Sequence, residues 1–145
     1  MWKSVEPLTP EEHDHFWSRV GPEDPKTGCH PWAGHVAKSG YGAYPHRGGQ
    51  IRAHRIAYAE AHGSVPEGSV IDHLCRNRSC VNPDHLEAVD NWTNVRRGDS
   101  PVAINARKTY CAKGHEFTPE NTYVPPKRPT QRDCKQCRRD RRKNS

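Results

Sequence analysis

The stretch Ile71-Asp72-His73-Leu74-Cys75-Arg76-Asn77-Arg78-Ser79-Cys80-Val81-Asn82-Pro83-Asp84-His85-Leu86 decides how this chain is read. Ser69 to His73 is the best strand candidate in the sequence and ends on a carboxylate and an imidazole, and Leu86 to Val89 can return beside it as a second strand. Between them lie Cys75, Cys80 and His85, three ligands of the type zinc prefers, and Cys29 upstream supplies a fourth. A second set, Cys111-x3-His115 and Cys134-x2-Cys137, has 18 residues between its two pairs, the span of a hairpin-bridged zinc knuckle. All six cysteines and two of the ten histidines are used, with no cysteine left over.

Zinc also answers a question that composition raises. Only 32% of the 145 residues are hydrophobic and the mean hydropathy is −1.09, so the apolar core must be small. A structural zinc ion contributes roughly 10–16 kcal/mol of apparent binding free energy at neutral pH, comparable with the stability of a whole domain. Six cysteines would equally suit three disulfides in a secreted chain. The N-terminus, however, shows no basic segment followed by an apolar run, and no stretch of about 18 apolar residues occurs anywhere. The expectation is a soluble, intracellular protein with two structural Zn2+ and no membrane partner.

The formal charge of +6 is unevenly placed. Residues 1–100 carry 11 Lys/Arg against 13 Asp/Glu, whereas residues 101–145 carry 12 against 4. The last third therefore holds all the net positive charge, which suits contact with a phosphate backbone; a solvated basic tail without a partner is the blander alternative.

Local signals divide the chain. Thr9-Pro10-Glu11-Glu12 is an N-cap, a proline at the first helical position and a capping-box glutamate, which predicts a helix from Pro10 to Val20 with Phe16, Trp17 and Val20 buried. Trp32 to Ala53 is aromatic and β-branched, broken by glycines, and predicts a hairpin turning at Gly48-Gly49, with Arg52, His54 and Arg55 at the end of its second strand. Ile56 to Ala61 then reads as a short helix that Gly63 can end in a left-handed conformation. Asp90 is a candidate cap for a helix through Trp92, Asn94 and Arg97 to Gly98. Three parts result: a zinc-stabilised domain over 1–98, a linker with some helical content over 99–109, and a basic zinc module and tail over 110–145. The module includes a Pro-rich hairpin-like stretch from Tyr123 to Pro129.

An Asp-His pair alone is usually a surface or capping pair. Here its loop is gathered by Cys75, Cys80 and His85, and a pinned loop fixes the direction of His73, which catalysis by a base requires. A carboxylate such as Asp72 can give a divalent ion one hard oxygen ligand while the neighbouring imidazole faces a reacting water. Arg52 and Arg55 are candidates to reach a phosphate from the preceding strand, and solvated or helix-capping roles fit them equally. His54 reads as packed or hydrogen-bonded; His13, His15, His30, His35, His46 and His62 show no paired spacing and read as surface residues.

Ile71-Asp72-His73-Leu74-Cys75, Asn82-Pro83-Asp84-His85-Leu86 and Asn94-Val95-Arg96-Arg97-Gly98 resemble the ββα-metal nucleases of the HNH type common in bacteriophages. The His-x-Cys-x4-Cys-x4-His order is also similar to the His-Cys box homing endonucleases, and the likeness covers about residues 28–98. It implies an α+β fold, a ββα-metal core with an N-terminal helix and hairpin and a C-terminal zinc-knuckle module. It implies that His73 is the general base, that Asp72 and Asn94 hold a catalytic Mg2+ or Mn2+, and that Asn82 braces the loop. It further implies a metal-dependent DNA endonuclease or nickase that leaves a 5′-phosphate and a 3′-hydroxyl. Many relatives carry His where this chain has Asn94, and an amide oxygen there suits a harder ion.

The partner implied is double-stranded DNA, in the host cytoplasm if the chain is phage-encoded, with a homodimer or a phage DNA-processing partner left open. The competing class is a non-catalytic zinc-dependent DNA-binding or regulatory protein on a nuclease-like scaffold. RNA binding is weaker, since no aromatic-rich sheet for stacking single-stranded bases is evident.

Overall fold

The computed structural model describes residues 5–128 and 131–144. Pro129 of the predicted Tyr123–Pro129 stretch, and the first four and last residues of the outer segments, lie outside them. The chain divides into two compact units, Met1–Asn91 and Trp92–Ser145.

In the first unit, helix α1 (Pro10–Trp17) opens with a complete capping box: Glu12 N–H donates to Thr9 Oγ1 and Thr9 N–H to the Glu12 carboxylate. It ends three residues before the expected Val20. The reason is competition: beyond Ser18 the backbone pairs with residues 31–33, through Gly21 N–H to Pro31 O and Ala33 N–H to Arg19 O, so Val20 bridges Trp32 instead of extending the helix.

Strands β1 (Ala43–His46) and β2 (Gly49–Arg52) form the hairpin, with His46 opposite Gly49. The turn is therefore Arg47-Gly48, one residue earlier than Gly48-Gly49. Both central residues have positive φ, 44° at Arg47 and 76° at Gly48, which is the two-residue turn whose twist matches the strands. This register puts Tyr44 inward, 3% exposed, against Phe16 and Trp32.

Helix α2 (Ala53–His62) follows β2 without a loop and closes on Gly63 at φ 85°. His54 and Arg55 thus sit in its first turn and not at the end of the second strand. Ala53, Ile56 and Ala57 form a wholly buried i, i+3, i+4 stripe, so the helix must begin early enough to place Ala53 inside. The cluster around it comprises Phe16, Trp32, Tyr44, Ile71, Val81 and Leu86. Gly42 is fixed by packing: a Cβ there would stand 2.7 Å from the Trp32 ring.

Strand β3 (Val70–His73) pairs antiparallel with β4 (Leu86–Val89), placing Asp72 opposite Glu87 and His73 opposite Leu86. A single 3-10 turn, Pro83–His85, precedes β4.

The second unit holds α3 (Asn91–Arg97, its first residue at the division), α4 (Pro101–Arg107), the short pair β5 (Thr122–Tyr123) and β6 (Asp133–Cys134), and α5 (Lys135–Lys143). Ser100 caps α4 through Ala103 N–H, and Arg132 binds the carbonyls of Asn105 and Lys108. The molecule is thus a small mixed α/β protein with short sheets and two Cys/His groups able to hold zinc.

Candidate active site and metal centres

The loop from β3 to β4 carries most of the candidate chemistry, and its ligand side chains meet. The donor atoms of Cys29, Cys75, Cys80 and His85 all lie within 4.8 Å of one another. His85 Nδ1 stands 3.7 Å from Cys29 Sγ and 3.6 Å from Cys80 Sγ. Zinc bond lengths of about 2.3 Å to sulfur and 2.0–2.1 Å to nitrogen, at tetrahedral angles, require ligand separations of about 3.6 Å for S···N and 3.8 Å for S···S. The set fits zinc.

The second group fits as well: Cys111 Sγ is 3.5 Å from His115 Nδ1 and 3.7 Å from Cys137 Sγ, and His115 Nδ1 is 3.3 Å from Cys137 Sγ and 3.7 Å from Cys134 Sγ. All six cysteines are unbridged, and all six fall in these two groups.

Crowding of thiols shows in their acidity. Burial opposes ionisation of Cys29, but hydrogen bonds with Thr27, His85, Cys75 and Cys80 outweigh it and bring the thiol down to about 7. Burial pushes Cys80 up to about 12 and raises Cys75 too. In the second group, hydrogen bonds from Cys137, Asn121 and His115 overcome desolvation and lower Cys134 to about 6, while Cys137 is pushed up to about 11 by desolvation and its thiol neighbours. Adjacent thiolates repel, and a chelated divalent cation is the ordinary way for all of them to ionise together.

The first ligand set pins the loop to the segment before it. Trp32 N–H donates to Ser79 O, Val81 N–H to His30 O, and Pro31 bridges Cys80. Asn82 adds a tie at each end of its amide: Oδ1 accepts from Asp84 N–H at 3.0 Å, and Nδ2 donates to Gly28 O at 2.7 Å.

His73, 5% exposed, reaches into this pinned loop, its Nε2 lying 3.0 Å from the Cys80 carbonyl. A carbonyl only accepts, so Nε2 carries the proton and Nδ1 is the ring's basic nitrogen. Burial is the main cause that lowers His73 below the ordinary imidazole value; Arg76 and Arg78 lower it further, against the Cys80 hydrogen bond and the charge of Asp72. The ring is held neutral and oriented.

Asp72 precedes His73 on β3. It is also 5% exposed, and its Oδ1 lies 3.2 Å from Arg76 Nη1. Asn94 belongs to α3, in the second unit.

Three groups near His73 carried no role in the sequence reading. The His54 ring centroid is 4.6 Å from that of His73, and Tyr41 lies 5.8 Å from His73 and 5.3 Å from His54. Arg78, from the zinc loop, brings its guanidinium within 5.5 Å of the Tyr41 centroid, where Arg52 already stands at 4.3 Å. His54 is pushed well below the imidazole range, chiefly by burial and then by His73 and two arginines, and its Nδ1 has no hydrogen-bond partner among the described residues. Arg55 is 7% exposed, facing the interior. His46 departs from the surface reading: its side chain is 6% exposed, with Nδ1 3.6 Å from Glu12. No spacing signal distinguishes Tyr41 or Arg78, since hairpin and loop bring them together from 37 residues apart.

Comparison with known proteins bears on this geometry. Residues 52–96 match the HNH endonuclease family. The matched segment runs from the end of β2 through α2, the β3–β4 pair and its loop into α3. Related chains come from bacteriophages. Protein 7.7 of Escherichia phage T7 is 41% identical over 58 residues, 40% of this chain and 45% of that one. Protein 2.8 of the same phage is 34% identical over 97 residues, 66% of this chain and 61% of that one. An uncharacterized gene 5.3 protein of Enterobacteria phage T3 is 36% identical over 42 residues, 29% of this chain and 42% of that one. The chain spans about half the length of these curated relatives. No solved structure matches it. Among the described residues, no helix is long and apolar enough to cross a membrane.

Proposed function

We propose that the protein is a metal-dependent DNA endonuclease or nickase whose general base is His73. The observation that carries this reading is the hydrogen bond from His73 Nε2–H to the Cys80 carbonyl, because it fixes the tautomer and aims a neutral imidazole from inside a ligand-pinned loop. Nδ1 takes a proton from a water that attacks phosphorus. The bond to the 3′ oxygen breaks and that oxygen takes up a proton from solvent, leaving a 3′-hydroxyl and a 5′-phosphate.

Asp72 and Asn94 offer a carboxylate and an amide oxygen, hard donors of the kind Mg2+ or Mn2+ takes, and these residues would hold the catalytic ion. When bound, that ion supplies charge stabilisation at the phosphate. Arg76, paired with Asp72, keeps the carboxylate in place meanwhile. Both Cys/His groups are assigned structural Zn2+, the first shaping the loop and the second organising the basic module. The domain division proposed remains 1–98, 99–109 and 110–145, with duplex DNA as substrate.

A non-catalytic DNA-binding protein on the same scaffold is the alternative, and the chemistry of His73 separates the two. Supercoiled plasmid incubated with Mg2+ or Mn2+ should be nicked or linearised by the native protein, with His73→Ala slower by about 10²–10⁴-fold, the usual worth of a positioned base. Plasmid bound but left intact by the native protein with both ions would select the scaffold reading.

A further inference from the structure

Two guanidinium groups are gathered at one aromatic ring beside His73. Arg52 ends β2 and stands 4.3 Å from the Tyr41 centroid; Arg78 comes from the pinned loop and stands 5.5 Å from it. The Tyr41 ring is in turn 5.8 Å from His73. Each position is built. Tyr41 is fixed where Ala37 N–H meets its carbonyl, and Arg78 donates Nη1–H to Ser39 O at 3.0 Å, with its side chain lying over Gly40 at 3.5 Å from the position a Cβ would take. Residues 37–41 and the loop around Arg78 therefore hold one another.

Their charges make the arrangement informative. Like charges at close range repel, and a neutral ring offsets only part of that. Arg76, on the same loop, is neutralised by Asp72, but among the described residues neither Arg52 nor Arg78 has a carboxylate partner. Arg55, the other arginine at this end of the hairpin, is 7% exposed, whereas Arg78 is exposed and Arg52 half-buried. The two guanidinium forks thus converge on one ring whose centroid lies 5.8 Å from that of His73.

We propose that Arg52 and Arg78, each held against the Tyr41 ring, form a clamp for one backbone phosphate of DNA next to His73, with Tyr41 as the positioning residue. This rests on the nuclease reading for its substrate, and it assigns the phosphate contact to Arg52 with Arg78, not to Arg55. Guanidinium suits the task because its planar fork binds two phosphate oxygens and stacks on a ring at the same time; an ammonium does only part of this.

The test separates binding from cleavage. In full-length His73→Ala protein, affinity for a 30-base-pair duplex is measured across a salt series for the parent, Arg52→Ala, Arg78→Ala and the double variant, with zinc content checked for each. One shared phosphate predicts that either single change weakens binding on the order of tenfold and lowers the log–log salt slope by up to about 0.9, and that the double lowers it little further. Arg52→Lys and Arg78→Lys should keep the slope while losing affinity. With His73 intact, Tyr41→Phe should cleave like the parent and Tyr41→Leu should not. Unchanged affinity and slope in both alanine variants at parental zinc content would overturn the clamp. If an alanine variant loses zinc, the lysine variants decide: parental binding in both overturns the proposal, weakened binding at unchanged slope supports it. Should the arginine effects appear while native protein leaves plasmid intact, the clamp stands and the nuclease reading falls.

Discussion

At the scale of single residues, His73 carries the clearest consequence. Burial lowers its affinity for a proton, and a base works only when neutral. A depressed folded value means that the neutral form, fully present above the ordinary imidazole pKa of about 6.5, persists below it and is lost only as pH falls through the lower folded value. Cleavage should accordingly hold level through about pH 6.5 and fall on a limb placed below that, read from initial nicking rates at constant bound zinc; an acid limb centred above 6.5 would contradict the burial effect. The sequence made His73 a candidate through its neighbours Cys75, Cys80 and His85, which a pattern reader can count. It could not supply the Cys80 carbonyl as the partner of Nε2, since a backbone acceptor has no residue identity. Tyr41 and Arg78 were invisible for a related reason: their meeting depends on the hairpin and the loop being placed together, a contact across chain distance that no local spacing encodes.

At the scale of elements, the β3–β4 loop is too long and too polar to order itself. Conformational entropy costs about 1–2 kcal/mol for each backbone residue fixed, and of residues 74–85 only Cys80 and Val81 are buried. Four ligands converging within 4.8 Å supply the missing constraint. Cys80→Ser should therefore remove one of two bound zinc ions, which elemental analysis would count, and should abolish plasmid cleavage even though Cys80 touches no reacting atom, because the carbonyl that orients His73 belongs to the same residue. Full activity at one zinc per chain would show that the hydrogen-bonded ties of Asn82 and the Pro31 bridge suffice alone. Strand and helix positions were legible here because each had a local cause: the capping box at Thr9, the left-handed stop at Gly63, the return strand at Leu86. Boundaries shifted where a distant segment competed. Val20 left the helix for Trp32, and Ala53 began its helix early because the core demanded its methyl group.

For the whole molecule, charge placement sets the expectation. The basic excess of residues 101–145 includes the six cations of α5, Lys135, Arg138, Arg139, Arg141, Arg142 and Lys143, against one acid, Asp140. Cys134 caps that helix by accepting from Cys137 N–H, and Cys137 lies within it, so the second ligand group fixes where the helix starts. Arg138 is spoken for in part by the Tyr123 ring at 4.5 Å, while Arg139 and Arg142 point to solvent-exposed positions of the same helix. If this unit grips phosphates, Arg139→Gln with Arg142→Gln should weaken duplex binding and lower the log–log salt slope by up to about 1.8, two contacts at about 0.9 each. Cleavage at saturating protein should be unchanged, because neither residue takes part in the chemistry at His73. A loss of cleavage at saturation, with both zinc ions retained, would instead make α5 part of the active site. An unchanged slope would leave the basic excess as a solvated tail. Slope and saturated rate together thus distinguish a module that holds DNA from one that acts on it.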